Sequence, residues 1–150
     1  MNDKLEELKL AEKIAREAHK NQTRWDGSPY IKHPERIAFK FDSIDCRIIA
    51  WLHDVIEDTD YTADDLRKAG ISENCVQAVE ILSRPEDMDY YRYIMRMKRD
   101  KFICEIKIAD ITDNLNDGIE DEHNKNKHKI AKYKLARELL SRFWGINNKK

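Results

Sequence analysis

The sequence predicts an all-α fold, and three features of the 150-residue chain support this prediction. Charged residues make up 38% of the chain and hydrophobic residues 41%, while only four glycines and three prolines interrupt it. Hydrophobic residues recur at the three- and four-residue spacing of amphipathic helices. No segment shows a convincing run of the alternation typical of a half-buried strand. We therefore expect residues 1–150 to form a single domain of about eight helices.

Eight helical segments account for most of the chain. In chain order they cover about residues 4–20, 34–41, 43–58, 62–70, 72–82, 88–98, 102–116 and 127–143. The first two are separated by the turn Asp26-Gly27-Ser28-Pro29, and the fourth runs from a capping-box pattern of Thr62 and Asp65 to Gly70. The third is apolar around most of its circumference, which predicts that it is the central helix. The tail, about 145–150, is expected to fray.

Charge and hydropathy narrow the classes of partner. The net charge of −1 gives no general attraction to nucleic acid or to an anionic membrane. No apolar run approaches the roughly 18–20 residues that span a bilayer, and the charged N-terminus lacks the apolar core of a signal peptide. We therefore expect a cytoplasmic protein that binds neither nucleic acid nor membrane. The oligomeric state does not follow from the sequence.

The segment 51–59 combines an apolar helix with four ionisable side chains: His53, Asp54, Glu57 and Asp58. Burying such groups is costly unless they are paired or bind a metal. In a continuous helix Asp54 shares a face with Glu57 and Asp58. His53 and Asp54 are adjacent and lie about 100° apart around the axis. They can therefore share an ion only with further ligands from elsewhere in the chain.

Two other segments offer such ligands. Asp110 is the lone carboxylate in the middle of a second apolar helix, with Asn114 one turn further on. His33 stands at the start of a helix, directly before a proline, where its side chain can project freely. Two imidazoles and two carboxylates would form a mixed nitrogen and oxygen site that suits Mn, Fe, Co or Zn.

Three motifs in this order resemble the hydrolase domain of the RelA/SpoT-type alarmone enzymes, in particular the standalone small (p)ppGpp hydrolases. The motifs span residues 15–34, 52–59 and 107–114 and read Ala15-x-x-Ala18-His19-x-x-Gln22-x-Arg24-x-Asp26-Gly27-x-Pro29-Tyr30-Ile31-x-His33-Pro34, Leu52-His53-Asp54-Val55-Ile56-Glu57-Asp58-Thr59 and Lys107-Ile108-Ala109-Asp110-x-x-x-Asn114. The resemblance implies an HD-fold domain that removes the 3′-pyrophosphate of (p)ppGpp, usually with Mn²⁺. Only one further helix is predicted after the third motif, so we expect no synthetase or regulatory domain in this chain.

The resemblance also implies a role for individual residues. Those that match the metal ligands of the family are His33, His53, Asp54 and Asp110. Glu57 and Asp58 match the acidic pair beside the attacking water, and one of them would act as general base. Arg24 and Asn114 would contact the substrate or brace the acidic pair.

Charge gives the cationic residues a further role. The carboxylates of Asp54, Glu57, Asp58 and Asp110 carry a total charge of −4, and a divalent cation would reduce it to −2. An anionic pyrophosphate ester therefore needs cationic side chains nearby in order to bind. Arg24 is the first candidate, and Lys107 could either help or simply pair with Asp110. Trp25 could stack on a base.

The chain departs from the family pattern around the nucleotide pocket. Asp113 stands where the family often has His, Leu115 and Asn116 follow Asn114 without the usual basic residue, and Trp25 stands where Lys is frequent. A phosphatase for NADPH or for another phosphorylated nucleotide or metabolite is therefore an alternative. A catalytically idle domain that binds a nucleotide is a third hypothesis, although such a binder would not need a metal-bound water.

Overall fold

A computed structural model describes residues 3–116 and 127–146. The helices within these ranges are α1 (Lys4–Ala18), α2 (Lys32–Ala38), α3 (Ile44–Leu52), α4 (Val55–Asp58), α5 (Ala63–Ala69), α6 (Glu73–Leu82), α7 (Tyr90–Met95), α8 (Lys101–Asn114) and α9 (Lys127–Trp144). The only strand-like pairing in these ranges is an isolated bridge between Thr23 and Pro29. The all-α prediction is confirmed. The predicted fraying beyond residue 146 lies outside the described residues.

The chain divides into two compact units, Met1–Glu86 and Asp87–Lys150. In the first unit α3 packs against α1, α2 and α6, and α5 packs against α6. The side chains of Ile48, Ala50 and Leu52 on α3 are fully buried. The prediction that this helix is central therefore holds for the first unit.

The predicted continuous helix over residues 43–58 is wrong, because the chain leaves helical geometry between His53 and Asp54. The backbone N–H of His53 bonds to the carbonyl of Ala50 at 3.4 Å, and the Nδ1 atom of His53 lies 2.7 Å from the same oxygen. A continuous helix would offer that carbonyl to the N–H of Asp54. Asp54 instead adopts φ −104° and ψ −1°, and α4 begins after it as a single turn. The imidazole of His53 thus competes for the helical hydrogen bond.

The local capping signals had different outcomes. Thr62 and Asp65 form the predicted capping box, and Gly70 ends α5 in the left-handed region at φ 112°. Ser72, where the sequence predicts the next helix to begin, occupies the N-cap position of α6, but its hydroxyl caps no helical N–H. The buried carboxylate of Glu7 accepts the backbone N–H of Ser72 at 2.8 Å instead. The partner of the Ser72 backbone is therefore a side chain 65 residues away in the sequence.

The second unit is built around α8, which packs along α9, while α9 also contacts α7. Helix α8 is buried on most of its surface, so it carries apolar side chains on all sides. Asp100 caps its N-terminus by accepting the N–H groups of Phe102 and Ile103. Across the described residues, no helix combines the length and the apolar character needed to cross a bilayer.

Candidate metal centre

Three of the predicted ligands meet where α3 ends. The Nε2 atom of His53 lies 3.0 Å from Oδ2 of Asp54, and the Nε2 atom of His33 lies 3.7 Å from the same oxygen. The two imidazole rings are 5.3 Å apart and meet edge to face. Both histidines are buried, whereas the Asp54 side chain is 15% exposed. Helix α2 supplies His33, and the break after α3 turns His53 and Asp54 toward each other.

The hydrogen bonding of His53 indicates which ring nitrogen is available as a ligand. Its Nδ1 atom lies 2.7 Å from the carbonyl oxygen of Ala50, which can only accept, so Nδ1 carries the proton. In the neutral ring Nε2 then presents a lone pair to the Asp54 carboxylate. Two acceptors at this distance repel each other unless a cation lies between them, so the donor set fits a metal ion. A ligand histidine braced through its other nitrogen is the usual arrangement in metal sites.

The fourth predicted ligand, Asp110, is buried in the middle of α8. The ammonium group of Lys107 lies 2.8 Å from Oδ2 of Asp110, and Nδ2 of Asn114 lies 3.5 Å from its Oδ1. Burial alone would lower the pKa of Lys107, but the adjacent carboxylate of Asp110 raises this pKa well above its ordinary value. Lys107 is thus a charged partner of Asp110, and Asn114 braces the same carboxylate.

The first unit brings three of the four predicted ligands together. His33, His53 and Asp54 each offer one potential ligand atom, and these atoms all lie within 4.8 Å of one another. Asp110 belongs to the second unit, and its place in the ligand set stays a prediction. The group has the mixed imidazole and carboxylate character of a divalent-metal site.

The two members of the acidic pair have different surroundings. Glu57 accepts the backbone N–H of Arg84 at 2.7 Å and lines a cleft of about 780 Å³. The carboxyl of Asp58 is partly desolvated although the residue as a whole is exposed. This desolvation, together with the negative charges of Asp54 and Glu57, raises the pKa of Asp58 to about 7. Asp58 can therefore gain or lose a proton near neutral pH.

Two residues of the first motif contact this acidic segment and a third packs against one of them, although the sequence analysis gave none of the three a role. The hydroxyl of Tyr30 donates to Oδ2 of Asp54 and lies 3.3 Å from Oδ2 of Asp58. The amide of Gln22 donates to the backbone carbonyl of Asp58 at 2.9 Å. The ring of His19 is buried, and its centre lies 4.9 Å from that of the Tyr30 ring. The signal was available, since all three residues stand in the motif that carries the resemblance.

Arg24 and Trp25 are close to each other in the turn before α2. The guanidinium of Arg24 is buried and lies 4.4 Å from the centre of the Trp25 ring. It also lies 5.6 Å from the ring of Tyr30. Trp25 is 37% exposed, so Arg24 covers one face of the indole and stacking on a base would need the other.

The sequence is similar to that of several curated proteins, although no family model matches the chain. It is 33% identical over 129 residues to the bifunctional (p)ppGpp synthase/hydrolase SpoT of Escherichia coli, an alignment that covers 75% of this chain. It is 31% identical over 158 residues, and 95% of the chain, to the guanosine-3′,5′-bis(diphosphate) 3′-pyrophosphohydrolase of Aquifex aeolicus. The chain spans only 18% and 23% of the length of these two relatives.

The fold is also similar to that of a solved structure. A metazoan ortholog of SpoT, described as hydrolysing ppGpp and acting in starvation responses, superimposes with a TM-score of 0.70 at 18% sequence identity. The match covers 94% of this chain and 97% of that one. The sequence and fold similarities confirm the resemblance that the three motifs indicate. The chain is an HD-fold relative of the SpoT-type (p)ppGpp hydrolases.

Proposed function

We propose that this chain is a metal-dependent phosphohydrolase that removes the 3′-pyrophosphate of (p)ppGpp. The observation that carries the proposal is that His33, His53 and Asp54 meet in a chain similar to named 3′-pyrophosphohydrolases, with Asp110 as the fourth predicted ligand. The cation would be Mn²⁺, held by these four side chains. When bound, it would lower the pKa of a coordinated water and orient that water toward phosphorus.

The reaction places defined demands on the acidic pair. The oxygen of water forms a bond to the phosphorus that carries the 3′ oxygen, and the bond between that phosphorus and the 3′ oxygen breaks. Asp58 takes the proton of the water, since its carboxyl exchanges a proton near neutral pH. The leaving 3′ oxygen takes up the proton that Asp58 received and ends as a hydroxyl, and the other product is pyrophosphate. Glu57, tied to the backbone of Arg84, holds the segment that carries Asp58.

The substrate contacts require cations, because the acidic side chains outnumber the positive charges of the metal. Arg24 is the candidate to bind phosphate oxygens, since its planar guanidinium suits bidentate contacts. Lys107 pairs with Asp110, so its positive charge offsets the negative charge of that carboxylate. Asn114 would act in the same way, by bracing Asp110, and the open face of Trp25 would receive the base. A cytoplasmic location stays a prediction from the sequence.

A nucleotide panel tests the proposed reaction. The purified chain would be incubated with Mn²⁺ and with ppGpp, pppGpp, NADPH and other phosphorylated nucleotides, and released pyrophosphate and orthophosphate would be measured separately. We expect pyrophosphate from ppGpp and pppGpp, and no turnover by an Asp54→Asn variant. Orthophosphate from NADPH or another substrate would favour the alternative phosphatase. Tight binding without any turnover would favour a nucleotide-binding domain, and would refute the proposal.

A further inference from the structure

We infer that Tyr30 is a positioning residue that holds the metal ligand Asp54 and the proton acceptor Asp58 in a fixed relation to each other. The inference rests on the proposed function, in which these two carboxylates have different tasks. It adds a residue to which neither the motifs nor the relatives' names give a role.

The first observation behind this inference is that the Tyr30 hydroxyl contacts the side chains of both Asp54 and Asp58. It donates to Oδ2 of Asp54, the same oxygen that faces the Nε2 atoms of His33 and His53. The hydroxyl oxygen also lies 3.3 Å from Oδ2 of Asp58. A phenol can donate one hydrogen bond and accept others. One group therefore contacts both carboxylates.

The Tyr30 ring is itself held in place, which is the second step. The centre of its ring is 4.9 Å from that of the His19 ring, and the ring of His33 lies 5.7 Å away, edge to face. The backbone N–H of Tyr30 donates to the carbonyl of Gln22 at 2.9 Å, and its carbonyl accepts the N–H of His33 at 3.0 Å. The segment that presents the Tyr30 hydroxyl is therefore the one that positions His33.

A second contact fixes the backbone beneath Asp58. The Nδ1 atom of His19 lies 2.7 Å from Oε1 of Gln22, an oxygen that can only accept, so this contact sets the orientation of the Gln22 amide. The NH₂ group of Gln22 then donates to the carbonyl of Asp58. The Nε2 atom of His19 is buried and has no hydrogen-bond partner among the described residues. Burial lowers the pKa of His19, so the ring is neutral and its orienting contact persists at neutral pH.

These contacts predict two separable effects of removing the hydroxyl. Asp54 would lose the donor that orients its metal-facing oxygen, and residues that brace a ligand in this way typically change metal affinity about 10- to 100-fold. Asp58 would lose a side-chain contact while its backbone remains held by Gln22. Its exposed carboxyl would then sample more orientations, which lowers kcat. Substrate binding would be unaffected, so KM should not change.

The test is Tyr30→Phe, which deletes one oxygen and keeps the ring against His19 and His33. The matched control is Tyr91→Phe, the same change at a tyrosine of α7 that is 37% exposed. Mn²⁺ binding to the purified chain would be measured by calorimetry, and kcat and KM with ppGpp at saturating Mn²⁺. We expect Tyr30→Phe to bind Mn²⁺ about 10-fold more weakly. We also expect its kcat to remain low when the metal is saturating, its KM to stay unchanged, and Tyr91→Phe to match the wild type.

The outcomes separate this inference from the proposed function. If the wild type binds Mn²⁺ and hydrolyses ppGpp while Tyr30→Phe equals it in both, the inference is overturned and the function stands. If Tyr30→Phe recovered the full wild-type kcat at saturating Mn²⁺, the inferred positioning of Asp58 by Tyr30 would be overturned. If the wild type neither binds Mn²⁺ nor turns over ppGpp, both fall. Gln22→Leu, which leaves Tyr30 intact, should lower kcat without changing Mn²⁺ affinity, and an unchanged kcat would refute the bracing of Asp58.

Discussion

The pair formed by Lys107 and Asp110 provides the most demanding test of the proposed site. The Lys107 side chain is 13% exposed and that of Asp110 is 6% exposed, and their charged atoms are 2.8 Å apart. Replacing Lys107 by Met keeps much of the side-chain volume but removes the cation beside a buried carboxylate, which keeps its 3.5 Å contact with Nδ2 of Asn114. Removing one partner of a buried pair typically costs about 3–5 kcal/mol, because the remaining charge is uncompensated.

We therefore expect Lys107→Met to lower the free energy of unfolding by about 3 kcal/mol in the absence of metal. The assay is urea denaturation followed by circular dichroism, with EDTA and then with Mn²⁺. Because a divalent cation would compensate the charge of Asp110, Mn²⁺ should stabilise Lys107→Met more than it stabilises the wild type. The matched control, Lys101→Met, alters an exposed lysine of the same helix and should change little in either condition.

Two results would refute this reasoning. A loss of stability no larger than that of Lys101→Met would show that the pair is not buried in the way the structure indicates. Equal stabilisation of wild type and variant by Mn²⁺ would show that the cation does not act on Asp110. The double variant Lys107→Met, Asp110→Asn should recover part of the lost stability, because no charge then remains buried, and it should lose the response to Mn²⁺.

Three further outcomes are expected. Burial alone would raise the pKa of Glu7, but its bonds to Ser72 and Lys4 lower it below 4.5, so the stabilisation is complete above that pH and is lost as the pH falls further. In urea titrations, Glu7→Gln should therefore have a free energy of unfolding about 2 kcal/mol lower than the wild type at pH 7, and the difference should be smaller at about pH 3. An equal difference at the two pH values would contradict the pKa argument. Gly70→Ala should lower stability by about 1 kcal/mol in the same titrations, because φ is 112° there, and an unchanged midpoint would contradict the left-handed cap. Asp58→Asn should bind Mn²⁺ normally in calorimetry and lose most of its turnover of ppGpp, whereas full turnover would remove Asp58 from the mechanism.

The sequence by itself determined the helical class, most of the helices and the identity of the ligand-type side chains. The capping box of Thr62 and Asp65 and the end of α5 at Gly70 were predictable because their partners lie within a few residues of each other. The same locality explains why apolar periodicity located α3 and α8. The motifs indicated His33, His53, Asp54 and Asp110 as a set, and the structure brings the first three of these together.

Only the tertiary structure decided how those side chains are oriented. The break after α3 depends on the competition of the His53 ring for a backbone carbonyl, which helical periodicity does not encode. The N–H of Ser72 finds Glu7 across 65 residues, and Tyr30 reaches Asp54 across 24. Residue type and spacing specify which groups are able to hydrogen-bond, but the choice of partner depends on which distant segments pack together. Burial then stabilises the chosen pairing over its alternatives, because an unpaired polar group away from water is costly.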